Sequence, residues 1–319
     1  MFSHLRWECA RPAWGGRRKR AVFVTAGAAM LASALTGPPS LTAAAPAGAG
    51  AAARDAEQVD TEDVFGFVEG ADIGRAGKQE TEIDVASRSG KSTGTYGNAA
   101  AQVEYKYTAF DNFRVAGVAT FAYYDIGGVT GLNDFGQVVV QSLSFDARFR
   151  LLDRDKAPFG LTLSVQPHWG FADETSGVPL NHFGWEALLL ADRELVPKRV
   201  VGGVNFVFDT DRTRLLPNNV IEQAPTAGIG AALSAQALPG LWLGGELRYL
   251  RSYEGAALEA FSGQALYAGP TLYARIGKQG WMSAAFNVQV WGGAVGVPGA
   301  LDLVNFERYQ VKLRAGYEF

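Results

Sequence analysis

The chain has 319 residues, 48% hydrophobic, 12% aromatic and 19% charged, with 39 glycines, one cysteine and a formal charge of −3. That apolar content excludes a disordered chain, glycine without a triplet period excludes collagen, and a lone cysteine excludes a disulfide-stapled fold. No stretch reaches the ~18 consecutive apolar residues of a spanning helix, which leaves a soluble β-rich protein or a membrane β-barrel.

Arg17, Arg18, Lys19 and Arg20 precede the apolar run Ala21–Leu35, which Gly37-Pro38-Pro39 stops, and residues 42–53 are nearly all small. A basic start, an apolar centre and a small-residue cleavage zone have the layout of a secretory signal peptide. Residues 1–53 are therefore expected to be a signal and cleavage region, cut after Ala45 or Ala53. Its removal takes away six Lys/Arg, one acid (Glu8) and Cys9, leaving 23 Lys/Arg against 31 Asp/Glu, a charge of −8. Such a chain is no candidate for nucleic-acid binding through a basic patch, and it has no thiol chemistry. Residues 54–77 are expected to form a periplasmic N-terminal segment. Its first part, Arg54 to Asp63, is acidic and polar; Val64 to Ile73 alternates in part and reads either as a short strand or as a piece that enters a lumen as a plug.

From residue 78 to 319 the dominant signal is alternation with period two, broken by Gly, Asn, Asp and Pro clusters. Twelve strands are expected, at about 78–88, 98–109, 112–125, 138–151, 158–170, 182–192, 198–209, 222–236, 241–251, 264–276, 281–291 and 307–319, with ten or fourteen also compatible. They are longer than the average globular strand of ~5–6 residues and match the ~9–11 tilted residues that cross a bilayer. Short and long connections alternate, as the periplasmic turns and extracellular loops of an outer-membrane barrel do. The expected fold is an all-β transmembrane antiparallel barrel in the outer membrane, in contact with its lipids.

Parity then assigns the faces. A lipid-facing row must be apolar, because the bilayer core offers no hydrogen-bond partners. The charged parity is therefore expected to line the lumen: Glu80, Glu82, Asp84, Arg88, Glu104, Lys106, Arg114, Asp146, Arg148, Arg150, Glu246, Arg248, Arg275, Arg308, Lys312 and Arg314. Closing the barrel sets the acidic row Glu80/Glu82/Asp84 beside the basic row Arg308/Lys312/Arg314, where opposite charges fix register. This set serves as an ion-pair filling, as a charged constriction that selects solutes, or as both. Phe110, Phe113, Tyr123, Tyr124, Phe159, Trp169, Phe183, Trp185, Trp281, Trp291, Tyr309 and Phe319 lie near strand ends, where an aromatic girdle belongs. Three strands fit the pattern less well: 182–192 puts Leu188 and Leu190 on the parity of Glu186, 222–236 is mostly Ala and Gly, and 241–251 puts Arg251 on an apolar parity.

His168 and His182 fall near the long-loop ends of adjacent strands. Two histidines can hold a metal or serve as a base. The nearest hydroxyls, Ser164, Thr175 and Ser176, make no recognisable motif with them, so no catalytic residue, metal or cofactor is expected. Asp209, Asp211, Arg212 and Arg214 read as a solvated loop start.

The ending, with Tyr309, Val311, Leu313, Tyr317 and Phe319 on one parity, resembles the C-terminal strand of Gram-negative outer-membrane barrels. In those proteins the barrel-assembly machinery reads that strand as a sorting signal. The opening strands, Lys78–Arg88, Val103–Thr108 and Phe113–Tyr123, resemble uncharacterised putative-transporter barrels of the type associated with phenol meta-pathway degradation. That resemblance implies a channel or transporter for passive passage or uptake of small solutes, of unspecified identity. The alternatives are an outer-membrane enzyme acting on lipid or an envelope substrate, and a structural or adhesive barrel.

Overall fold

A computed structural model describes residues 60–215, 220–255 and 258–319. The expected leader, 1–53, lies outside the described residues.

Each alternating stretch forms a strand, because period-two side chains divide a strand into two chemically distinct faces. Among the described residues the strands are β1 (Gln79–Ser89), β2 (Thr95–Phe110), β3 (Phe113–Gly127), β4 (Val138–Leu152), β5 (Gly160–Ala172), β6 (Pro179–Val196), β7 (Val200–Leu215), β8 (Val220–Gln223), β9 (Thr226–Leu238), β10 (Leu241–Glu254), β11 (Ala260–Ile276), β12 (Gly280–Ala294) and β13 (Tyr309–Glu318). Neighbours in sequence pair antiparallel, and β13 pairs back onto β1 from Glu80↔Glu318 to Ser89↔Tyr309, so the sheet closes. β8 and β9 are one stave. Val200–Asp209 of β7 pair with β9, and Arg212–Leu215 pair with β8. The break falls at Ala224-Pro225, where proline supplies no amide to the ladder. Twelve staves result, the number the sequence leads one to expect. Several run past their expected ends, β6 to 18 residues, so part of what reads as loop is strand.

The exterior is apolar. Val103, Tyr105, Phe121, Phe145, Leu243 and Leu313 all point outward and are exposed. Cross-strand aromatic pairs reinforce this face, with Phe113–Phe149 centroids 4.7 Å apart and Trp169–Phe183 5.4 Å apart. A continuous apolar exterior on a closed sheet is the surface lipid requires. Most of the expected girdle, including Phe110, Trp169, Phe183, Trp291 and Phe319, is exposed on it. Tyr124 and Trp281 are not: both are buried inside the barrel.

For Trp281 the reason lies at the N-terminus, whereas Tyr124 packs with Tyr96, Ile126 and Val129 under the long loops. Residues 60–77, part of the expected periplasmic N-terminal segment whose stretch Val64–Ile73 reads either as a short strand or as a plug, run through the lumen in the half nearer the short turns. Val64, Phe65 and Val68 form a buried apolar cluster with Val201, Trp242, Tyr273 and Trp281 of the wall. The strand at 182–192 carries Leu190 fully buried on its inward row, while Glu186 and Leu188 of the same row line a cavity. Gly74 and Gly77 take positive φ (75° and 91°) where the segment turns into β1, a conformation that suits glycine.

Replacing Phe145, in the middle of outward-facing β4, with Arg should destabilise the barrel by about 2–4 kcal/mol, the cost of a charge at the bilayer midplane. Urea unfolding in phospholipid bilayers checks this.

Candidate functional site

The lumen segment is acidic, and the wall around it is basic. Glu62 accepts a hydrogen bond from Lys106 Nζ at 2.9 Å and pairs with Arg114. Asp63 pairs with Arg314 at 2.9 Å, Glu69 with Arg148 at 2.6 Å, and Asp72 with Arg150 at 2.6 Å and Arg154 at 3.1 Å. Backbone groups are matched too. The amides of Phe67 and Val68 donate to the two carboxylate oxygens of Glu246 at 3.1 and 3.0 Å, and the amide of Ala71 donates to Asp192 at 2.7 Å. Thr108 Oγ1 donates to the carbonyl of Ile73 at 2.7 Å. Asn205, with its amide oriented to satisfy both groups, brackets the backbone of Glu69. These bonds make the segment a plug with a defined register, since an unpaired charge or amide here would carry its full desolvation cost.

Small residues make the space. A Cβ at Gly203 would meet the ring of Phe65, one at Gly230 would meet Val68, and one at Gly66 would meet Ala285 and Glu246. At the short-turn rim, Arg75 of the plug pairs with Asp155 at 2.9 Å. Burial pushes the neighbouring Asp153 carboxyl up, but the Asp155 amide and the Arg150 and Lys156 cations outweigh it and hold it below the usual range.

The expected lumen residues divide into three groups. Glu80, Glu82, Lys106, Arg114, Asp146, Glu246 and Arg314 are buried in or beside the plug network. Asp84, Arg88, Glu104, Arg148, Arg248 and Lys312 line a cavity of about 450 Å³ in the long-loop half. Arg150 reaches the plug from the short-turn side, and Arg275 sits at that rim against Glu318 at 2.9 Å. Arg308 does not line the lumen. It precedes β13, is exposed, and stacks over Tyr309 at 5.5 Å. The seam pairing therefore runs between Lys312 and Asp84 at 3.0 Å and between Arg314 and Glu82 at 3.9 Å, without it.

Long loops narrow the open half. Tyr96 and Tyr124 hydroxyls donate to the carbonyls of Thr175 and Glu174 at 2.9 and 3.1 Å, drawing the 173–178 loop inward. Tyr267 donates to the Glu307 carbonyl at 2.5 Å, and Gln289 to that of Asp302 at 3.0 Å, anchoring the 295–308 loop. Its place near a strand end suggests the girdle for Tyr124, but it shares the inward row of Arg114 and its hydroxyl belongs to the 173–178 loop.

Asp209 and Asp211, expected in a loop, lie on the inward parity of β7. Asp211 meets His168 Nε2 at 2.7 Å and His182 Nε2 at 3.5 Å. The hydroxyls of Ser164 and Ser176 donate instead to Asp146 and Asp173, both at 2.6 Å. The histidines are thus joined to a carboxylate, not to those serines.

A closed antiparallel sheet with an apolar outside and a charged inside defines an outer-membrane β-barrel. The chain belongs to a family of unknown function (DUF6662), whose model matches residues 57–319 and so takes in the plug as well as the staves. No curated protein sequence matches it. Its fold is similar to that of the COG4313 outer membrane channel from Pseudomonas putida F1, at 9% identity over 78% of this chain and 98% of that one, with a TM-score of 0.56. Looser likenesses are the NanC porin (8% identity, 75% and 100% covered, TM-score 0.46) and the β domain of the Bordetella autotransporter BrkA (13%, 76% and 100%, 0.48).

Substituting Glu62→Gln leaves Arg114 and Lys106 short of a buried counter-charge, which should loosen the plug by about 3 kcal/mol or more. Hydrogen exchange at the amides of Phe67, Val68 and Ala71 should then accelerate by roughly 100-fold, read by mass spectrometry in detergent micelles.

Proposed function

We propose that this protein is an outer-membrane channel for small solutes, seen with its gate shut. The gate is the plug at residues 60–77. The single observation that supports the reading is the arrangement of the lumen: a polar cavity of about 450 Å³ in the long-loop half ends on the acidic plug. A wall lined with both signs of charge suits passage of polar or ionic solutes, and the plug blocks it from the short-turn side. By the usual orientation of such barrels, solutes enter from outside the cell and the plug is displaced toward the periplasm. In this reading the outward row Tyr309, Val311, Leu313, Tyr317 and Phe319 is the surface the barrel-assembly machinery recognises.

The contrary reading, a structural barrel, is favoured by the ion pairing that packs the short-turn half. Planar-bilayer conductance separates the two. A variant lacking residues 60–77 should conduct, and the full chain should conduct several-fold less. Joining plug to wall through Thr61→Cys and Asp192→Cys, whose side chains touch, should abolish the residual current until a reductant is added. A plug-less barrel that folds, shown by altered gel migration on boiling, yet carries no current would establish the structural reading.

A further inference from the structure

We propose that His168, His182 and Asp211 form a binding site for a zinc-type divalent cation in the long-loop half of the lumen. The register builds it. His168, Gly184 and Asp211 lie in one row across β5, β6 and β7, as the pairs His168↔Gly184 and Gly184↔Asp211. Gly184, between them, has no side chain, so His168 and Asp211 meet across it at 2.7 Å. One step along, His182 sits opposite Gly170, which is equally bare. A Cβ at Gly184 would overlap His168 and Asp211, and one at Gly170 would overlap the His182 ring. The two glycines therefore hold open a niche that the imidazoles fill.

One ligand atom from each of the three residues lies within 4.8 Å of the others, close enough for one ion to gather all three. The His182 side chain is only 4% exposed, and its Nδ1 has no hydrogen-bond partner among the described residues. A buried ring nitrogen left so is short of a partner. Two imidazoles and one carboxylate suit zinc, which takes three protein ligands and leaves a fourth position open. Calcium and magnesium prefer oxygen alone. His168 also lines the lumen cavity, so the site borders that open space. Glu174, Glu186 and Asp209 line the same cavity. The site requires no opening of the plug, so it holds whether or not the barrel conducts.

Zinc binding to the full chain in detergent, produced without a polyhistidine tag, tests this by calorimetry. One Zn²⁺ per barrel is expected, with excess Ca²⁺ unable to displace it. His168→Gln and His182→Gln should each weaken binding by more than about 100-fold, beyond the 10–100-fold typical of supporting residues. Asp211→Asn should weaken it less. Boiling-dependent gel migration reports that each variant folds. Absence of stoichiometric binding to the folded wild type, or equal affinity in a folded His182→Gln variant, would overturn the site.

Discussion

The short-turn half of this barrel depends on the neutralisation of inward-facing cations by carboxylates of the plug together with those of the wall. Lys106, Arg114, Arg148 and Arg314 are buried on the wall, and Glu62, Asp63 and Glu69 of the plug meet them. Within such an interior each charge is tolerable only with its partner, because desolvation of an unmatched ion costs several kcal/mol. The consequence is reciprocal: the wall fixes the plug's register, and the plug permits the wall to carry its cations. The apolar cluster of Val64, Phe65 and Val68 against Trp242 and Trp281 then seals the same half against water, which strengthens the ion pairs beside it.

The staves were readable from sequence because a barrel repeats one local rule. Alternation over ten or more residues identifies a stave, and its charged parity identifies the inside. Parity failed where the inside is not water. Leu190 looks misplaced on an inward row until its full burial is seen, and Trp281 and Tyr124, judged by their strand-end positions, look like lipid anchors until their interior partners are seen. A legible clue was present: the acidic run at residues 57–63 is followed by apolar Val64–Phe67, a pattern a solvated tail does not need. Arg308 was misassigned because parity says nothing about where pairing stops, and β13 begins one residue later.

The histidine cluster was legible only in part. Adjacency of His168 and His182 follows from a hairpin, whereas contact with Asp211 depends on register across three strands and on a glycine at the middle position. Such juxtapositions are set by long-range pairing, which a one-dimensional pattern does not encode.

The short link from Gly74 to Lys78 joins the plug to β1. A tether of this length turns docking into an intramolecular event, with an effective concentration on the order of millimolar. Were the plug the gate proposed above, it would on release stay at the mouth of the pore and return without competition from dilute rivals. In that gating reading, opening is therefore self-limiting: any agent that holds the pore open competes with a plug that never diffuses away.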